Sequence, residues 1–134
     1  MIALMVEDSA LVRSRLIPML AAFSGVRVVG VAESATEALA WLQAHRCDLL
    51  LLDLSLRDSC MHASGLRLLD SLAQAEQAEQ ADGRVPPLRV VLANGPTDAL
   101  RRRCAALGAS AVFDKSIQLD ELFAFLRREH WTIQ

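Results

Sequence analysis

Four leucines run unbroken into an aspartate at positions 49–53, with Leu54 and Leu56 following. So short and unbroken an apolar run predicts a strand buried on both faces, as in a parallel sheet covered by helices. Residues 2–6 are a second apolar run, 26–32 are β-branched, and 88–93 and 110–113 complete a set of five predicted strands. Between them the pattern changes to helical spacing. Val12, Leu16, Met19, Leu20 and Phe23 form one such face behind Ser9, a good N-cap, and Ser24-Gly25 stops that helix. Pro18 falls inside it, removes a backbone hydrogen bond, and predicts a bend or an interruption. Ser34 and Glu37 have the capping-box spacing for a second helix over 35–44. Residues 54–64 read as a long turn-rich loop. Gly65 opens a third helix with Leu66, Leu68, Leu69 and Leu72 on its apolar face. The tail of that helix, 73–81, is made of strong helix formers with little to bury, which predicts a helical extension. Asn94-Gly95-Pro96 is a turn, Thr97 or Asp98 caps a fourth helix ending at Gly108, and a fifth helix runs over about 119–129.

Strand and helix alternate five times, which predicts a doubly wound α/β domain with a parallel sheet. In the flavodoxin-like strand order 2-1-3-4-5, the first and third strands are neighbours, and ligands sit at the carboxyl edge. That edge receives Glu7 and Asp8 after strand one, Asp53 at the end of strand three and Lys115 after strand five. Clustered carboxylates repel one another unless a cation sits among them, and Mg2+ is usually held by one or two carboxylates with waters and phosphate oxygens. A carboxylate can itself be the nucleophile and become an aspartyl phosphate. Phosphoryl transfer needs mainly positioning and charge neutralisation, which Mg2+ and Lys115 would supply.

Composition narrows the field. The chain has 134 residues, 53% hydrophobic and 22% charged, which suits one globular domain with a proper core. A net charge of −2 gives no electrostatic case for nucleic acid or membrane. Cys47, Cys60 and Cys104 are widely spaced and read as reduced thiols of a cytoplasmic protein. The three histidines are scattered without metal-ligand spacing. No apolar stretch reaches the length of a membrane span, and the N-terminus lacks the basic region of a signal peptide.

On Glu7-Asp8, Asp53, Gly65-Leu66, Gly108-Ala109 and Lys115 together, the chain resembles the receiver domain of two-component response regulators over essentially its whole length. The resemblance implies that Asp53 accepts a phosphoryl group from a sensor histidine kinase or phosphotransfer protein. It implies that Glu7, Asp8 and Asp53, with the backbone carbonyl of Ser55, hold Mg2+, and that Lys115 pairs with the phosphoryl oxygens. It implies a signalling domain, not an enzyme with a separate substrate. The family usually ends strand four with Ser or Thr, and here Ala93 stands there. It usually has an aromatic three residues before the lysine and a proline after it, where this chain has Val112 and Ser116. The hydroxyl–aromatic switch of such receivers is therefore expected to be absent.

One receiver domain is expected over 1–134, with no output domain in this chain, signalling by docking to a downstream protein. Arg101, Arg102 and Arg103, with Asp120, Glu121, Arg127 and Arg128, are expected to form a mixed-charge surface suited to a homodimer through helix four, strand five and helix five. Two other readings stay open. A phosphatase or mutase would use Asp53 as nucleophile, but the general acid expected two residues on is Ser55. An interaction module independent of phosphorylation would fit Ala93 and Val112. Dinucleotide binding is disfavoured because Glu7-Asp8-Ser9 replaces the glycine-rich turn.

Overall fold

The computed structural model describes residues 1–54, 63–79 and 87–133. Five strands alternate with five helices: β1 (Ile2–Val6), α1 (Ala10–Ser24), β2 (Arg27–Ala32), α2 (Ala35–Ala44), β3 (Leu49–Asp53), α3 (Ala63–Glu79), β4 (Leu88–Ala93), α4 (Asp98–Ala106), β5 (Ala111–Asp114) and α5 (Leu119–Ile133). The strands form one parallel sheet in the order β2-β1-β3-β4-β5. This is the doubly wound arrangement that the alternation predicts.

Alternation along each strand divides the core in two. Leu50 and Leu52 join Leu4, Val6, Val91 and Ala93 against Ala38 of α2, Leu68 and Leu69 of α3, and Cys104 of α4. Leu49 and Leu51 join Ala3, Met5, Val90 and Leu92 against Leu16 and Leu20 of α1 and Leu122, Phe123 and Leu126 of α5. The four consecutive leucines are thus shared equally between the two layers, and β3 is buried at every position. Burying one such side chain contributes roughly 1.5–3 kcal/mol, so β3 is the strand that most firmly anchors Asp53.

Close approaches refine the layers. A Cβ on Gly65 would lie 2.5 Å from Leu54 Cδ2, so only glycine lets α3 come this near the end of β3. A Cβ on Gly30 would lie 2.5 Å from the Trp41 indole, which lets α2 settle onto β2. Gly25, at φ 71°, closes α1 in the left-handed conformation.

The caps act where the residue pattern places them. Ser9 accepts from the Val12 N–H, Ser34 from Glu37 and Thr97 from Leu100. Several boundaries move. Helix α1 runs unbroken through Pro18, because the apolar face of Leu16 and Leu20 is held by the sheet regardless of one missing hydrogen bond. Phe23 leaves the expected buried face: it is 53% exposed and leans on Phe123, their ring centres 5.6 Å apart. Helix α3 starts at Ala63, ahead of Gly65, and continues through 73–79; residues 80 and 81 of the expected extension lie outside the described residues. Strand β5 is shifted one residue on, to include Asp114, and α5 continues to Ile133. The 54–64 loop falls mostly outside the described residues. Among the described residues, no helix is long and apolar enough to cross a membrane.

Candidate functional site

The carboxyl ends of β1, β3 and β5 bring Glu7, Asp53 and Lys115 together. Asp53 is 2% exposed and Glu7 4% exposed. Lys115 Nζ donates to Asp53 Oδ2 at 2.6 Å and stands 3.9 Å from Glu7 Oε2. The ammonium is thus committed to Asp53 first. Glu7 is fixed on its other side by the Ser9 N–H, which donates to Oε1 at 3.1 Å, and its own N–H donates to the Ala32 carbonyl at 2.9 Å.

Two buried carboxyls sharing one ammonium cannot both ionise freely. Burial, then the hydrogen bond with Asp53 and its negative charge, push the Glu7 carboxyl up to about 8, against the opposing pull of the Ser9 N–H and Lys115. These causes favour the protonated form of Glu7, hydrogen-bonded to Asp53. Asp8 stands half-buried on the next residue. Among the described residues no three acidic, histidine or cysteine side chains form a ready-made metal cluster. Of the three expected carboxylates, Glu7 and Asp53 meet directly. Lys115 lies directly against Asp53. Ser55 lies outside the described residues.

The β4–β5 edge is built differently. Ala93 is fully buried and pairs with Asp114, while Val91 pairs with Val112. Neither Ala93 nor Val112 carries a hydroxyl or ring. Phe113, one residue along, points to the opposite face, where it meets Phe125 at 5.7 Å; alternation prevents it from standing in for a ring at Val112. Polar links fill the edge. Arg101 Nη1 donates to the Val112 carbonyl at 2.7 Å, and Nη2 to Gln118 Oε1 at 2.8 Å. Gln118 Oε1 also accepts from the Asp114 N–H at 2.8 Å. The Asp114 carboxylate accepts from the Gly95 N–H at 3.2 Å and from both the N–H and hydroxyl of Ser116. The Ser116 hydroxyl, with the Ser116 N–H, holds the Asp114 carboxyl below its usual range. A proline after Lys115 could donate neither bond. Lys115 N–H closes the edge by donating to the Ala93 carbonyl at 3.0 Å.

This edge corrects one surface expectation. Arg102 and Arg103 are exposed, as are Asp120, Glu121, Arg127 and Arg128, but Arg101 turns inward and is consumed by Val112 and Gln118. Sequence reasoning did not single out Gln118 or the internal role of Arg101. The position of Gln118 four residues after Asp114 was the one available signal. Cys47 and Cys104 are free thiols with pKa raised by burial, and Cys60 lies outside the described residues.

Parallel sheet, buried strand-end aspartate, acidic neighbour and lysine together define a doubly wound α/β domain with a charged pocket at its carboxyl edge. The family model described as "Response regulator receiver domain" matches residues 3–127, and the chain belongs to that family. Members accept a phosphoryl group from a histidine kinase, signal by docking to other proteins, and catalyse only their own phosphorylation and dephosphorylation. Among solved structures, the receiver domain of the TMAO respiratory system response regulator TorR is 23% identical with a TM-score of 0.75, over 99% of this chain and 98% of that one. A response regulator receiver protein from Pseudomonas putida is 24% identical with a TM-score of 0.74, over 95% of each chain. The Mn2+-bound form of response regulator Rcp1 is 24% identical with a TM-score of 0.68, over 94% of this chain and 88% of that one. No curated protein sequence matches the chain.

Proposed function

We propose that residues 1–134 act as one receiver domain in which Asp53 is the phosphoacceptor and Lys115 contacts the phosphoryl oxygens. The observation that carries this is the buried Asp53 carboxylate with the Lys115 ammonium at 2.6 Å and the Glu7 carboxyl against it. Transfer from a phosphohistidine breaks its P–N bond and forms a bond from an Asp53 oxygen to phosphorus. The leaving imidazole takes a proton from solvent. Lys115, already placed at Asp53, neutralises charge on the incoming group.

The residues present fit a hard divalent cation. The donors are carboxylate oxygens, and the Glu7 carboxyl, raised by burial and by Asp53, would gain from a second positive charge beside it. Glu7, Asp8 and Asp53, with the Ser55 carbonyl, would hold Mg2+, and the Mn2+-bound form of Rcp1 supports a divalent site of this kind. When bound, Mg2+ would neutralise charge on the phosphoryl oxygens.

A second reading is favoured by the β4–β5 edge. With Ala93 and Val112 in place and Arg101 tying α4 to β5, docking through a fixed α4–β5–α5 surface would not depend on phosphorylation. Arg102 and Arg103 of one copy and Asp120 and Glu121 of another would supply complementary charge for a homodimer there. Incubation with a small-molecule phosphodonor and Mg2+, followed by mass analysis, tests the first reading. A mass gain of one phosphoryl group that maps to Asp53 supports it, and an unmodified chain leaves the second.

A further inference from the structure

Arg13 belongs to no part of the pocket named above, yet its fork closes on the pocket's frame. Nη1 donates to the backbone carbonyl of Glu7 at 2.6 Å, and Nη2 to Glu33 Oε1 at 3.2 Å. That carbonyl lies in the peptide joining Glu7 to Asp8. Glu33 follows β2, and its own N–H is held by Glu37 Oε2 at 3.0 Å at the start of α2. One guanidinium thus joins α1, the end of β1 and the β2–α2 turn. Only arginine offers two such donors in a fixed plane.

The two arms differ in weight. The Glu33 side chain is 57% exposed, and ion pairs so exposed contribute little. The carbonyl bond is shorter, partly buried and charge-assisted. It also sits where the β1 ladder has ended, so the Glu7 carbonyl has left the sheet. Rotation of this peptide would move the backbone of both acidic residues at once, and carboxylates on adjacent residues diverge as it turns.

We propose that Arg13 is a positioning residue for the divalent cation: by holding the Glu7–Asp8 peptide it sets the two carboxylates for a common ion. The proposal rests on the assignment of Glu7 and Asp8 as cation ligands. Groups that orient ligands without touching the metal typically govern affinity by roughly 10–100-fold.

The test is an Mg2+ titration of the phosphate-free protein followed by backbone amide NMR shifts, on wild type, Arg13→Ala, Arg13→Lys and Glu33→Gln. Arg13→Ala should weaken Mg2+ binding about tenfold or more. Arg13→Lys, which keeps one donor and the charge, should recover part of the loss, and Glu33→Gln should bind as wild type. Labelling by a small phosphodonor should need correspondingly more Mg2+ in Arg13→Ala, with the rate at saturating Mg2+ close to wild type. Wild-type Mg2+ affinity in Arg13→Ala overturns the proposal, even if its melting temperature falls. An equal loss in Glu33→Gln overturns the assignment to the carbonyl. If Arg13→Ala does not fold, Arg13→Lys decides alone: weakened binding supports the proposal and unchanged binding overturns it. Wild type failing to bind Mg2+ sinks the cation assignment itself, and this proposal with it.

Discussion

Two corners of one sheet edge, about a strand apart, are built on opposite plans. At the ends of β1 and β3, buried groups are in electrostatic conflict: burial and the neighbouring Asp53 raise the Glu7 carboxyl, and the single ammonium of Lys115 lies nearer Asp53. At the ends of β4 and β5, polar groups are in agreement. Arg101, Val112, Gln118, Asp114, Gly95 and Ser116 form a chain of hydrogen bonds with donors matched to acceptors. A corner in conflict gains from an added cation. A corner already satisfied has little to gain from moving. A ligand shifts an equilibrium only by its differential interaction with the two states. On the proposed reading, the first corner is placed to react and the second to hold its shape.

The largest effect that sharpens the contrast is at Asp53. Asp53→Asn retains the shape and removes the nucleophile, so phosphodonor labelling in Mg2+ should disappear, as read by mass or Phos-tag gel. Undiminished labelling would break the assignment of the reactive corner.

Next comes the pH dependence of the conflict. Glu7 has a folded pKa raised from 4.5 to about 8. Between those values the folded state binds a proton that the unfolded state has released. Stability from this group is full below pH 4.5, declines as pH rises to about 8, and then levels off. A tenfold difference in proton affinity between folded and unfolded states corresponds to about 1.4 kcal/mol, so the decline amounts to a few kcal/mol. Urea melts without Mg2+ should show it, and Glu7→Gln should remove it. Mg2+ should stabilise wild type more at pH 8 than at pH 5. A flat profile in wild type would show that the two carboxyls are not in conflict.

Arg101→Ala tests the agreeing corner. It removes two charge-assisted bonds and should destabilise the protein by about 1.5–3 kcal/mol in chemical denaturation. It should also loosen α4 from β5, seen as faster amide exchange around Val112. An unchanged midpoint would mean that the network is not a restraint.

The smallest effect is the conformational response itself. With the phosphoryl mimic beryllofluoride, wild-type NMR shifts should change around Asp53 and Lys115 and little in α4 and β5. Ala93→Thr supplies the missing hydroxyl and should enlarge the α4 and β5 shifts. Large wild-type shifts through α4 and β5 would mean that the corner moves after all, and their loss in Asn94→Ala would assign the movement to the Asn94 amide, which can donate in place of a hydroxyl.

Much of this contrast was legible in the order of residues, because its causes are local. Apolar runs alternating with helical spacing dictate a parallel sheet, and strand period sorts Leu49, Leu50, Leu51 and Leu52 onto its two faces. Strand ends then bring Glu7, Asp53 and Lys115 to one edge whatever the details between. The absence of a hydroxyl at Ala93 and a ring at Val112 is likewise a matter of reading two letters. Tertiary structure alone decided which partners these groups take. Lys115 meets Asp53 across 62 positions of chain, closer than it meets Glu7. Arg101 turns inward while Arg102 and Arg103 remain in solvent, because only Arg101 faces the Val112 carbonyl and Gln118 once α4 lies against β5. Three arginines in a row carry no such distinction: burial and hydrogen-bond satisfaction belong to the contact between elements, and no single element contains that contact.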